Sequence, residues 1–197
     1  LWRILANGYE KEGDAYEELK GIGRLIPTAV AHGDEEGRWQ KTDNHVWCAE
    51  ELREQFTVHQ HRFIALKEVV TPLNAFRTTK ELVTALRDAL QAHTEAYRQG
   101  ILHRDISIGN ILISENGGGL LVDWDFSRPI VNPEVRVMAR TGTRQFMSVH
   151  LLLNAPGTVA HTVVDDLEAF FHVLCYVVLV YCPHTYSMKL LKDHLQK

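Results

Sequence analysis

The sequence predicts an α+β domain. Three observations carry that expectation: an amphipathic helical stretch from Lys80 to Gln99, two short apolar runs flanking a glycine-rich turn between Ile111 and Val122, and a long apolar stretch from Ala169 to Cys182. With 197 residues and 45% apolar content, the chain has room for one domain with a real core.

Taken in order, Glu10 to Leu19 is rich in helix formers, and Gly21 and Gly23 follow as helix stops. Leu25 to Val30 reads as extended chain and His32-Gly33-Asp34 as a turn. Asp34 to Asn44 is charged and aperiodic, the pattern of an exposed loop. His59 and His61 fit a surface or strand-edge position, and Arg62 to Leu66 reads as a strand. Val69-Val70 then leads into Thr71-Pro72. In the helix that follows, Leu82, Leu86, Ala89, Leu90, His93 and Tyr97 keep the i, i+3/i+4 rhythm, and Gly100 takes the C′ position. Ile111-Leu112-Ile113 and Leu120-Leu121-Val122 form a hairpin signal around Ser114 to Gly119. The glycine triplet there is turn chemistry, because no Gly-Lys-Ser/Thr follows it. The Ala169–Cys182 stretch falls short of the ~20 residues of a membrane span and predicts a helix buried on all sides.

Acidic residues number 25 against 21 basic ones, a net charge of −4, so the basic footprint of a nucleic-acid binder is missing. Cys48, Cys175 and Cys182 are too scattered for a disulfide framework or a CxxC zinc site, which points to a reduced, intracellular protein, cytoplasmic or nuclear; Cys175 and Cys182 are expected as core residues. No membrane association is expected. Residue 1 is Leu, which suggests a processed or partial chain.

The segment that carries chemistry is His103-Arg104-Asp105-Ile106-Ser107-Ile108-Gly109-Asn110, followed by the hairpin and by Asp123-Trp124-Asp125. Two carboxylates and an amide thus stand at the two ends of one hairpin. Phosphoryl transfer asks little covalent work of a protein; it needs positioning and charge neutralisation. One carboxylate orients the acceptor hydroxyl and takes its proton, a second holds Mg²⁺ by a hard oxygen, and an amide oxygen completes the metal shell. Asp105, Asp123 and Asn110 supply these three parts.

Here the sequence resembles the protein kinase signature set, and more narrowly the fungal-type protein kinase domain, in which HRDIS and a D-aromatic-D triplet replace the commoner forms. Gly142 to Ser148 is similar to the end of an activation segment, Asp165-Asp166-Leu167-Glu168 to the start of the F helix, and Glu12-Gly13-Asp14 to the region of the αC glutamate. The resemblance implies a two-lobe kinase-like fold, with residues 1–70 as an incomplete N-lobe ending in the hinge and 71–197 as a truncated helical C-lobe. It implies ATP and Mg²⁺ as cofactors and a protein substrate of the Ser/Thr type. Asp105 would be the base, Ser107 a loop donor, and Asn110 and Asp123 the metal ligands. Glu12 and the backbone around Glu68 and Val70 would meet the nucleotide. His103 would pack structurally, Arg104 face a phosphate on Thr141 or Thr143, Thr143 bond to Asp105, and Asp166 brace the catalytic-loop backbone.

Departures from the pattern set further expectations. Ser107 stands where kinases usually carry Lys. Asp125 replaces a Gly, so a left-handed backbone is expected there, with its carboxylate joining or repelling Asp123. Ser148-Val149-His150 leaves the end of the activation segment without its usual brace. No GxGxxG or VAIK-like strand precedes Glu12, so that strand is expected to have ended near or just before Leu1, and Glu12 to lack an ion-pair partner. These departures keep open a pseudokinase-like binding module. A small-molecule phosphotransferase of the aminoglycoside or choline type is a further alternative, since Asp123-Trp124-Asp125 also resembles its acid triplet.

Overall fold

The computed structural model describes residues 2–4, 12–35, 42, 59–130, 142–155 and 158–183. Among the described residues two three-stranded sheets, one two-stranded sheet and two long helices carry the architecture. Strand β1 (Trp2–Ile4) pairs antiparallel with β3 (His59–Leu66), which also pairs antiparallel with β2 (Ala29–Asp34), giving the order β1-β3-β2. A strand occupies residues 2–4, with Arg3 opposite Gln60, close to the first residue of the sequence. His32-Gly33-Asp34 is strand rather than turn: the three residues pair with Ile64, Phe63 and Arg62. Ladder pairing with a central strand overrides the local turn preference of Gly and Asp. His59 and His61 lie on that central strand, not at an edge.

Helix α1 (Glu12–Glu18) continues into a 3₁₀ segment, Leu19–Leu25, and contacts both β2 and the turn at Trp124–Phe126. β4 (Val70–Pro72) leads into helix α2 (Thr79–Arg98). Thr78 caps α2 by accepting the Glu81 N–H at 3.1 Å, while the Glu81 carboxylate accepts the Arg77 N–H at 2.6 Å.

The buried stripe of α2 is Leu82, Ala85, Ala89, Ala92, His93 and Ala96, whereas Leu90 and Tyr97 from the expected stripe are exposed. The reason is a close backbone approach. A Cβ on Gly119 would lie 2.1 Å from the Ala85 carbonyl oxygen, so the hairpin strand lies directly on the helix and only small residues fit between them. Buried Asp88, also on this face, accepts the Gly119 N–H at 3.1 Å and pairs with Arg87.

After β5 (Ile101–Leu102), which pairs with β8 (Arg128–Pro129), comes the hairpin of β6 (Ile111–Ser114) and β7 (Gly119–Leu121), with β4 on the far edge of β6. The chain then gives short helix α3 (Val149–Leu153) and helix α4 (Val163–Tyr181). One apolar core runs through Leu19, Leu73, Leu82, Ile111, Leu121, Phe146 and Val173.

α4 is not buried on all sides. Among the described residues one face, through Val173 and Val177, enters the core, while Val164 (64%) and Phe171 (62%) are exposed. Cys175 and Cys182 are half-buried. Cys48, Thr141 and most of the expected loop 34–44 lie outside the described residues. Among the described residues no helix is long and apolar enough to cross a membrane.

Candidate active site

The loop 103–110 hangs between β5 and the hairpin, and buried polar contacts fix it. His103 is fully buried. Its Nε2 faces the Val122 carbonyl at 3.0 Å, and a carbonyl can only accept, so Nε2 carries the proton. Nδ1 then accepts the Asp105 N–H at 3.2 Å. The ring packs edge-on against Trp124 at 4.5 Å. Burial pushes the His103 pKa down to about 4, with the Asp166 charge opposing it. The imidazole is thus neutral and held in one orientation.

Arg104 has φ +72, a left-handed backbone that costs a non-glycine residue about 1 kcal/mol. Its N–H donates to Asp166 Oδ2 at 3.1 Å, which compensates for that conformation. Asp166 also takes bonds from His93 Nε2 (2.9 Å) and His161 Nε2 (2.7 Å). Burial would raise its pKa, but the donors from His161 and His93 outweigh that and hold it well below the usual carboxylate range. The arrangement has Asp166 bracing the loop backbone.

Asp105 Oδ1 accepts both the N–H (2.8 Å) and the hydroxyl (2.9 Å) of Thr143. Gly142 makes this possible: at φ +102 a Cβ there would lie 2.9 Å from the Arg104 carbonyl oxygen. Ser107 is buried within the loop, its carbonyl accepting the Asn110 N–H at 3.2 Å. Asn110 Nδ2 donates to the Asp105 carbonyl at 2.8 Å, which leaves the amide oxygen as its donor atom toward a cation. The Asn110 carbonyl accepts the Val122 N–H at 2.9 Å, so the amide and the Asp123 carboxylate are tied together at one end of the hairpin.

The left-handed residue of the triplet is Asp123 (φ 63°, ψ 67°), not Asp125, which sits in the 3₁₀ turn Trp124–Phe126. The Asp123 N–H donates to the Tyr16 hydroxyl at 3.1 Å. Burial raises the Asp123 pKa, the charges of Asp125 and Asp105 raise it further, and Arg62 opposes them. The pair of oxygen donors, one carboxylate and one amide, beside the further carboxylates Asp105 and Asp125, fits a Mg²⁺ that prefers one or two protein oxygens plus phosphate.

Glu12 does have an ion-pair partner. Arg62 Nη2 lies 2.7 Å from Glu12 Oε2, and Arg62 Nη1 lies 3.2 Å from Asp125 Oδ1. Both Arg62 (7%) and Glu12 (4%) are buried. Burial still pushes the Glu12 pKa up to about 7, with Arg62 only partly offsetting it. Sequence reasoning missed Arg62; its signal was a charged residue at the inward parity of a strand, with Gln60 and Ile64.

In the segment expected as the hinge, the Glu68 side chain turns toward the start of β2: its oxygens accept the Thr28 N–H (2.8 Å) and hydroxyl (2.9 Å). Val70 is already strand, opposite Ser114. The end of the activation-like segment is braced after all. Ser148 donates to Asp165 Oδ1 at 2.5 Å, His150 Nδ1 reaches the same oxygen at 3.2 Å, and the Val149 N–H reaches Glu168 Oε1 at 2.8 Å. The acids of this brace come from α4, so a search for them near residue 150 fails.

A family model for the fungal protein kinase matches residues 11–178. Similar proteins include a probable casein kinase I homologue of Encephalitozoon cuniculi, 29% identical over 174 residues, which make up 85% of this chain and 48% of that protein. The serine/threonine-protein kinase PknB of Mycobacterium tuberculosis is 32% identical over 74 residues, 36% of this chain and 12% of that protein. A probable L-type lectin-domain containing receptor kinase of Arabidopsis thaliana is 26% identical over 158 residues, 75% of this chain and 23% of that protein. The chain spans about half the length of the first of these and less than a quarter of the other two.

Proposed function

Because the chain belongs to the fungal protein kinase family, we propose that it is the catalytic part of a protein kinase of the Ser/Thr type, dividing near residue 70 into an N-lobe portion and a C-lobe portion. ATP with Mg²⁺ supplies the transferable phosphoryl group and the charge that neutralises it. Asp105 orients the acceptor hydroxyl and takes its proton on Oδ2, since Thr143 occupies Oδ1. Asn110 and Asp123 hold the metal, and the backbone between Glu68 and Val70 meets the base of the nucleotide. Ser107 shapes the loop turn rather than supplying charge.

The observation that carries this reading is the fixed geometry of Asp105, clamped by Thr143 on one side and by Asn110 on the other. Replacing Asp105 with Asn in the complete protein is expected to abolish phosphate transfer to a protein acceptor while leaving the melting temperature within a few degrees. Undiminished transfer refutes the assignment.

A second reading, a pseudokinase-like binding module, is favoured by one observation: a strand arginine, not a lysine, holds Glu12. Mg²⁺-dependent binding of nucleotide without phosphate transfer by the complete protein would select it.

A further inference from the structure

β3 alternates in burial, with Gln60 and Arg62 buried and Ile64 partly buried, and from this strand the Arg62 side chain reaches the first residue of α1. An arginine in such a place needs partners, because an uncompensated buried charge is costly. Among the described residues Arg62 finds partners on two different elements: Glu12 on the first turn of α1 and Asp125 in the turn just after Asp123. The two contacts use the two terminal nitrogens of one planar guanidinium, a fork that a lysine ammonium does not offer.

We propose that Arg62 is a positioning residue that couples α1 to the Asp123 loop, so that helix and metal-binding carboxylate move together. Three considerations support it. Asp125 lies two residues from Asp123 in one tight turn, so a displacement of its carboxylate displaces the metal-facing residue. A second tether, the Asp123 N–H on the Tyr16 hydroxyl, starts from the same helix, so α1 meets the triplet at both a side chain and the backbone. Finally, the coupling gives a role to Asp125, the residue by which the triplet departs from its usual form.

The coupling is a property of the unliganded chain. Its consequence for catalysis rests on the kinase reading above, and the test keeps the two apart. Hydrogen exchange of the α1 amides and of the Trp124–Phe126 amides is measured in the full chain for wild type, Glu12→Gln, Asp125→Asn and the double variant, each also in an Arg62→Lys background. With Arg62 present, Asp125→Asn is expected to speed exchange in α1, and Glu12→Gln in the 124–126 turn, by about tenfold. In the lysine background, which serves one partner at a time, the two effects become independent. Effects confined to the element that carries each substitution, or equal in both backgrounds, overturn the proposal.

In the complete protein, Arg62→Lys is expected to raise KM for Mg–ATP about tenfold with a smaller change in kcat, the split expected when ground-state positioning is lost. An unchanged KM also overturns it. If exchange is coupled as stated but wild type neither binds Mg–ATP nor transfers phosphate, the kinase reading fails and the coupling stands.

Discussion

The fully buried His103 makes the stability of this fold depend on pH in a direction that can be worked out. Its pKa is lowered from 6.5 to about 4 by burial. A base whose folded pKa is depressed contributes stability that is fully present above the unfolded value and is lost as pH falls toward the folded one. Between these limits the unfolded chain binds a proton that the folded chain refuses. From pH 7 to pH 5.5 the loss is about 1 kcal/mol, and below pH 4 it reaches about 3 kcal/mol. The assay is urea unfolding of wild type and His103→Phe at pH 7, 5.5 and 4.5. Phenylalanine keeps an aromatic ring against Trp124 but cannot titrate, and it leaves the Val122 carbonyl without its donor. At pH 7 the variant is expected to be less stable by about 1–3 kcal/mol. That gap should narrow by about 1 kcal/mol at pH 5.5 and further at 4.5, because only wild type pays for protonation. Other titrating groups cancel in the difference. A gap that stays constant or widens as pH falls refutes the neutral, Nε2-protonated assignment.

Gly119→Ala should destabilise the domain by about 3 kcal/mol or more, read by thermal melting, because its Cβ would meet the Ala85 backbone at 2.1 Å and neither element can yield alone. Ser148→Ala removes the hydroxyl that both binds Asp165 and caps α3 through the Leu151 N–H, and a loss of about 1–2 kcal/mol in chemical unfolding is expected. Glu12 carries the opposite pH dependence to His103. Its pKa is raised from 4.5 to about 7, so its stabilising contribution is full below 4.5 and is lost as pH rises through 7. Wild type measured against Glu12→Gln should therefore lose about 3 kcal/mol of relative stability between pH 4 and pH 8, and a flat difference would count against the burial that causes the shift.

What was legible in the sequence was what local pattern encodes. α2 ends where Gly100 follows it, the hairpin turns where Gly117 and Gly118 stand, and Asp105, Asn110 and Asp123 come together because a hairpin returns the chain to its starting point. What was not legible depends on partners distant in sequence. His32–Asp34 has the composition of a turn, yet β3 recruits it as strand. The exposed side of Leu90 follows from a hairpin backbone pressed on the alanines, which no helical periodicity announces. Arg62 stands fifty positions from Glu12 and more than sixty from Asp125, so only the fold makes them one cluster. The brace around Ser148 likewise comes from carboxylates on α4.

Four carboxylates of this chain fall into two pairs that burial treats alike and neighbours treat oppositely. Asp165 and Asp166, at the start of α4, have pKa values below the usual range, because hydroxyl, imidazole and backbone donors outweigh their burial. They hold Ser148 and Arg104 in place, and their charge is already satisfied. Glu12 and Asp123, on the α1 side of the hairpin, have pKa values above the usual range, because burial and neighbouring carboxylates outweigh the opposing charge of Arg62. Arg62 contacts Glu12 and Asp125 directly and acts on Asp123 through its charge. Among the described residues the first group secures the loop that carries Asp105, and the second sets incompletely compensated acids beside it, an electrostatic condition that a divalent cation would relieve.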